Sequence, residues 1–147
     1  MHSIIANPAD GTRLRVVGDV VRVLATGAET GGAYEIFEVE GPEGSGPPPH
    51  AHPWAEAYVV VEGEADVYLD GAHLAAQPGS FYHIPPGATH AYRIRSKSAK
   101  FVVITSPAGA SDFFSELDAE TGGSCEDMGK IVAVAMRHGF TVPAATA

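Results

Sequence analysis

The sequence has few positive charges, one cysteine and no long hydrophobic run. Nine lysines and arginines face eighteen aspartates and glutamates, which gives a net charge of −9 with neutral histidines. Because a nucleic-acid-binding protein needs a positive surface to displace counterions from phosphate, we expect no nucleic-acid partner. Cys125 alone allows neither an intrachain disulfide nor a zinc site built from thiolates.

The longest apolar runs, residues 57–61 and 131–136, are far shorter than the ~20 residues of a membrane-spanning helix. The first residues also lack the apolar stretch and small-residue cleavage site of a secretory leader. We therefore expect a cytoplasmic protein with no membrane partner.

The length and the turn residues indicate a single all-β domain over residues 1–147. The chain contains 17 glycines and 11 prolines without a repeat period, which favours short strands joined by turns. Alternating hydrophobic segments predict nine or ten strands within about residues 12–107, including a hairpin closed by Asp70-Gly71. An antiparallel sandwich or barrel is the expected architecture.

The pattern changes after the last predicted strand, and a helical extension is expected over about residues 111–139. Ser111 is the expected cap of a first short helix over residues 112–119. Ser124 and Asp127 resemble a capping box that opens a second helix, which ends near His138 with Gly139 as its stop. Both helices carry apolar stripes that we expect to dock on the sheet.

The spacing of the histidines is the feature that points to chemistry. His50 and His52 are two residues apart, so on an extended strand both rings project from the same face. Glu56 follows after Pro53, and His90 comes shortly after a proline-rich turn. Three imidazoles and one carboxylate form a mixed nitrogen and oxygen set that suits a divalent transition metal and leaves coordination positions open for catalysis.

The residues around these four match two spaced motifs. Their spacing resembles the first and second motifs of the cupin superfamily, with the positions Gly44, His50, His52, Glu56 and Gly63, then Gly79, Pro85, Gly87 and His90. The asparagine that usually ends the second motif is replaced by Ile94, a departure that we expect to cost a structural hydrogen bond but no metal ligand.

The resemblance covers about residues 33–105 and implies a jelly-roll β-barrel, or sandwich, with a metal site inside. It implies that His50, His52, Glu56 and His90 are the ligands of one divalent ion, which is Fe, Ni, Mn, Co, Cu or Zn. Small cupins are commonly dimers, and strands over residues 13–17 and 20–24 would leave sheet edges unpaired in a monomer. We therefore expect a homodimer.

Two side chains are candidate catalytic groups. We expect Glu56 to act as a base as well as a ligand. His83 shares a strand face with Phe81, so we expect it to line the pocket or to act as an acid or base, unless strand polarity turns it outward. Aromatic residues near the ligands predict a mostly apolar pocket for a flat aromatic or enolic small molecule, lined by Phe37, Trp54, Tyr58, Phe81 and Tyr92.

Three functions remain open at this stage, because one fold hosts several activities. The first is a dioxygenase that acts on a phenolic or enolic substrate, similar to small bacterial cupins of the quercetin 2,3-dioxygenase type. The second is a redox-neutral metal-dependent cyclase, isomerase or lyase, such as an aromatic polyketide cyclase. The third is a cupin that binds a small molecule without catalysis.

Overall fold

The computed structural model describes residues 2–143, which form nine strands and three helices. The strands are β1 (Thr12–Val16), β2 (Asp19–Ala25), β3 (Glu35–Pro42), β4 (Ala55–Glu62), β5 (Ala65–Leu69), β6 (Ala72–Ala76), β7 (Phe81–Ile84), β8 (His90–Ile94) and β9 (Ser98–Ser106). A six-stranded sheet has the order β1-β2-β3-β9-β4-β7, and a three-stranded sheet has the order β6-β5-β8. All pairings are antiparallel, which confirms the predicted all-β jelly-roll class.

The two sheets share one apolar core because alternate residues of each strand turn inward. In the larger sheet, Phe37 on β3 and Phe101 on β9 are completely buried. The smaller sheet contributes Val67 from β5 and Ile94 from β8 to the same cluster. Ile94 thus fills an apolar position where the cupin motif usually has asparagine.

Two turns show how the glycines set the path of the chain. Asp70 and Gly71 both have positive φ angles, 48° and 82°, and join β5 to β6 as the predicted hairpin. Gly63, between β4 and β5, has a φ of 80°, and a Cβ atom there would lie 2.3 Å from the carbonyl oxygen of Ser98. Glycine at residue 63 is therefore required by both backbone conformation and space.

The C-terminal part contains the two expected short helices, α2 (Ala110–Thr121) and α3 (Met128–Arg137). Ser111 is not the cap of α2: Gly109 holds that position, and Ser111 lies within the helix, bound to a buried carboxylate of β3. Helix α3 begins later than predicted, because Asp127, not Ser124, caps it by accepting a hydrogen bond from the backbone of Lys130 at 3.0 Å. Both helices bury their apolar stripes, as predicted.

A third helical segment, α1 (Gly27–Thr30), is a single turn between β2 and β3 that the sequence did not predict. The edges of the larger sheet are β1 and β7. The prediction of an edge at residues 20–24 was wrong, because β2 pairs with β1 on one side and with β3 on the other. The homodimer stays a prediction. Within residues 2–143, no helix is long and apolar enough to cross a membrane.

Candidate metal centre

Three separate chain segments bring the four predicted ligands together. His50 and His90 form an isolated antiparallel bridge, in which the backbone N–H of each donates to the carbonyl of the other at 3.0 and 2.9 Å. His52 follows on the same segment, and Glu56 lies on the neighbouring strand β4. The ligating nitrogens of His50, His52 and His90 all lie within 4.8 Å of one another.

Backbone carbonyl groups orient all three imidazoles. In each ring Nδ1 lies within hydrogen-bond distance of a backbone carbonyl oxygen two residues away, which can only accept a hydrogen bond. The pairs are His50 with Pro48 (2.8 Å), His52 with Trp54 (2.9 Å) and His90 with Ala88 (2.9 Å). Nδ1 is therefore the donor in each of these contacts, and Nε2 is the ring nitrogen left to bind a metal.

Two of these Nε2 atoms are buried without any hydrogen-bond partner, those of His52 and His90. Leaving a buried acceptor unpaired costs free energy, so these atoms require an external partner. Oε1 of Glu56 lies 3.5 Å from each of them. Adjacent ligand atoms on a transition-metal ion are about 3 Å apart, so the spacing of these side chains fits one shared cation.

The charge state of the site suits a cation as well. Burial by itself raises the pKa of Glu56, but the adjacent His52 and His90 outweigh burial and lower the pKa to about 2. Burial, followed by the neighbouring His90, lowers the pKa of His50 to about 4. At neutral pH the site thus holds an ionised carboxylate beside the neutral imidazole of His50, and the buried negative charge favours a bound cation.

The site opens into a cavity of about 120 Å³ between the larger sheet and the C-terminal helices. His50, His52 and Glu56 form one part of its wall, and most of the remaining wall is apolar. The helices contribute mainly Phe113, Phe114, Leu117, Ile131 and Ala135. Among the described residues that line the cavity there is no lysine or arginine.

Three of the five aromatic residues expected in the pocket do line this cavity: Trp54, Tyr58 and Tyr92. The ring of Trp54 stacks on that of His52, with centroids 4.8 Å apart and planes 16° apart. Phe37 is different, because it is fully buried in the core and packs edge-on against Phe114 at 5.1 Å instead of lining the cavity. The expectation for Phe37 was therefore wrong.

The expectations for Phe81 and His83 were also wrong. Both side chains point away from the core on β7, and Phe81 is 62% exposed. The inward positions of this strand belong to Tyr82 and Ile84, which are buried. Since side chains alternate along a strand, His83 cannot reach the cavity without a shift of the whole strand register.

Phe140 is a site residue that the sequence motifs did not indicate. It follows α3, and its ring stacks on His50 with a centroid distance of 5.6 Å and an interplanar angle of 14°. It also contacts the rings of His52 and Trp54. The next residue, Thr141, pairs with Ala51 through two backbone hydrogen bonds of 2.9 Å. The segment after α3 thereby pairs with the chain segment that carries His50 and His52.

Asp19 is the second residue that was missed. It lies at the start of β2, lines the cavity, and is only 6% exposed. Its carboxylate accepts hydrogen bonds from the hydroxyl groups of Ser45 at 2.6 Å and Tyr92 at 2.5 Å. In the sequence, Gly18-Asp19 has the composition of an ordinary turn, so no local signal distinguishes this carboxylate.

Comparison with known proteins agrees with the fold and the motifs. The Cupin domain family matches residues 37–105. Over 114 residues the chain is 29% identical to the quercetin 2,3-dioxygenase of Bacillus subtilis (strain 168), a match that covers 77% of this chain and 34% of that protein. The chain thus spans about a third of the length of this curated relative.

Solved structures share the fold at low sequence identity. An RmlC-like cupin from Shewanella frigidimarina NCIMB 400 superposes with a TM-score of 0.67 and 19% identity, over 76% of this chain and 96% of that one. The polyketide cyclase RemF from Streptomyces resistomycificus gives a TM-score of 0.62 and 22% identity, over 71% and 79%. The sheet topology and the family match thus identify residues 37–105 as a cupin domain.

Proposed function

We propose that this cupin is a metal-dependent dioxygenase that acts on a flat phenolic or enolic small molecule, with His50, His52, Glu56 and His90 as the metal ligands. One observation carries the proposal: the carboxylate of Glu56, at the wall of a mostly apolar cavity, lies 3.5 Å from the unpaired Nε2 atoms of both His52 and His90. The match to a quercetin 2,3-dioxygenase supports the choice of reaction.

A bound divalent metal would supply a positive charge that stabilises an enolate or phenolate oxygen and, where it is redox-active, reactivity toward O2. The chain's own groups complete the site. The backbone carbonyls that hold Nδ1 keep each Nε2 directed at one point. The carboxylate of Glu56 accepts the proton that an enolic hydroxyl loses, and the apolar wall keeps water away from the reacting atoms.

The second candidate is redox-neutral cyclisation of an aromatic polyketide. The observation that favours it is size: the chain covers 79% of the polyketide cyclase RemF but 34% of the quercetin dioxygenase. A cyclase would use the same ligands to acidify a C–H bond next to a ketone, with Glu56 again as the base. The third possibility is that the protein binds a small molecule without catalysis.

The deciding experiment measures oxygen uptake by protein loaded separately with Fe(II), Ni(II), Mn(II), Co(II), Cu(II) or Zn(II), with a panel of flavonols as substrates. We expect uptake with at least one redox-active metal and none with zinc. Turnover of a polyketide without oxygen, together with no uptake across the panel, would establish the cyclase instead. Binding without turnover under either condition would favour the non-enzymatic module.

Two variants test the residue roles. Glu56→Gln should retain most of the metal and lose oxygen uptake, because the amide can still coordinate through oxygen but cannot accept the substrate proton. His83→Ala is the matched control, since His83 lies on the outer face of β7 and its removal should leave uptake unchanged. Normal turnover by Glu56→Gln would remove the base role.

A further inference from the structure

The cavity wall contains a second polar group, the carboxylate of Asp19, that the proposed dioxygenase chemistry does not use. Asp19 makes no hydrogen bond or ion pair with Glu56 or the three histidines in the described residues; its partners are Ser45 and Tyr92. Tyr92 lies two residues beyond His90 on the same face of β8, which places their Cα atoms roughly 7 Å apart. The Asp19 carboxylate and its partner Tyr92 are therefore close to the histidines but form a separate polar group.

The local packing reserves space for this carboxylate. Gly41 on β3 is the residue beneath it, and a Cβ atom there would lie 2.0 Å from Oδ1 of Asp19 and 2.4 Å from the hydroxyl oxygen of Ser45. Any side chain at residue 41 would displace the pair. The position of the carboxylate at the cavity wall is thus built into β3 as well as into β2.

Asp19 also has unused capacity to accept hydrogen bonds. A carboxylate offers about four acceptor sites, and two neutral hydroxyl groups occupy one on each oxygen. No lysine, arginine or histidine forms an ion pair with it among the described residues. Burial raises the pKa of Asp19, and the hydrogen bonds from Ser45 and Tyr92 only partly offset that rise. A third donor would stabilise the buried charge further.

We propose that Asp19, positioned by Ser45 and Tyr92, binds a hydroxyl group of the substrate other than the enolic or phenolic oxygen at the metal. This inference rests on the proposed function and narrows its substrate class to polyhydroxylated, uncharged flat molecules. Substrates with an additional carboxylate or phosphate group near Asp19 are disfavoured, because Asp19 is acidic and no lysine or arginine lines the described cavity.

The test compares two ligands by calorimetric titration of zinc-loaded protein, since redox-inert zinc prevents turnover. Quercetin carries hydroxyl groups on both ring systems, whereas 3-hydroxyflavone keeps only the enolic one. Wild-type protein should bind quercetin about tenfold more tightly, because a hydrogen bond to a buried charge is worth about this factor. Asp19→Asn should weaken quercetin binding about tenfold and 3-hydroxyflavone binding less than about twofold.

A second variant and a control separate recognition from stability. Gly41→Ala keeps Asp19 but displaces its carboxylate, so it should cause the same selective loss. Glu40→Gln removes an exposed carboxylate from the same strand and should change neither affinity. A purely structural role of Asp19 would lower the unfolding temperature and leave the ratio of the two affinities unchanged.

The outcomes for the two proposals are distinct. If wild-type protein binds both flavonols but Asp19→Asn and Gly41→Ala leave their affinity ratio unchanged, the role of Asp19 is overturned and the proposed dioxygenase stands. If neither flavonol binds to zinc-loaded wild-type protein, the proposed substrate class is overturned and the role of Asp19 with it.

Discussion

Replacing Glu35 with Gln tests whether one buried carboxylate joins the start of helix α2 to the sheet. The side chain of Glu35 is 1% exposed. Its Oε1 accepts hydrogen bonds from the backbone N–H groups of Gly109 at 2.9 Å and Ser111 at 3.0 Å. Its Oε2 accepts from the N–H of Gly27 at 2.9 Å and from the Ser111 hydroxyl. Four donors therefore depend on one carboxylate.

Gln has one acceptor oxygen where Glu has two, because an amide N–H₂ group replaces the other oxygen. The two donors that were bound to that oxygen then have no acceptor. A buried donor without an acceptor costs about 1–3 kcal/mol. We expect Glu35→Gln to lower the free energy of unfolding by about 2–4 kcal/mol. Urea denaturation followed by the fluorescence of Trp54, the single tryptophan, measures this change. A loss below about 1 kcal/mol would refute the reasoning.

The control is Glu40→Gln, which changes an exposed carboxylate of the same strand and should cost less than about 0.5 kcal/mol. The effect should also depend on pH. Burial raises the pKa of Glu35, but the hydrogen bonds from Ser111, Gly109 and Gly27 outweigh it, so the pKa lies below the ordinary 4.5. The stabilisation is therefore complete above pH 4.5 and is lost as the pH falls through the lower folded-state value. The difference in the free energy of unfolding between wild type and Glu35→Gln should therefore become smaller as the pH falls below 4.5.

Substitutions at Tyr92, Gly63 and Phe140 test the packing around the site and the turns. Tyr92→Phe should lower the free energy of unfolding by about 1–2 kcal/mol, because the Tyr92 hydroxyl donates a hydrogen bond to the buried carboxylate of Asp19. Tyr82→Phe should be neutral or stabilising, because the Tyr82 hydroxyl is buried without a partner. Equal losses of stability for the two variants in urea denaturation would contradict this. Gly63→Ala should lower the free energy of unfolding by more than about 3 kcal/mol, and Gly79→Ala by only about 1 kcal/mol. Both residues have a positive φ angle, but only at residue 63 would a Cβ atom clash with neighbouring backbone. Thermal unfolding compares the two variants, and similar losses would contradict a role for the clash. Phe140→Ala should lower the free energy of unfolding by about 3–4 kcal/mol. It should also weaken metal retention, because His50 loses the ring that stacks on it. Elemental analysis after dialysis measures the retained metal, and full retention would contradict a supporting role of Phe140.

The strands were predictable because their signals are local, whereas the set of four ligands, which includes the distant His90, followed from the resemblance to the cupin motifs. Alternating hydrophobic residues define strands such as β3, and the two-residue spacing of His50 and His52 predicts that both rings project from one face. The hairpin at Asp70-Gly71 was also predictable from the sequence, because an Asp-Gly dipeptide readily adopts the two positive φ angles of this turn.

Other features depend on contacts that leave no local pattern. On β7, residues 81–84 include bulky side chains on both faces, so periodicity could not show that Tyr82 points inward and His83 outward. Asp19 and Tyr92 are 73 residues apart in the chain, and only the folded sheets bring them together. Phe140 reaches His50 because the segment after α3 pairs with Ala51, a long-range bridge that no motif encodes.

We expect three imidazoles and Glu56 to hold one divalent metal ion inside the barrel. The most direct measurement is the metal content per chain, by elemental analysis of dialysed wild-type, His90→Ala and His83→Ala protein whose folding is verified by circular dichroism. Wild type and His83→Ala should each contain about one metal ion per chain, and His90→Ala less than about a tenth of that. Folded His90→Ala protein that keeps its metal in full, or wild-type protein that takes up none from a transition-metal solution, would contradict this expectation.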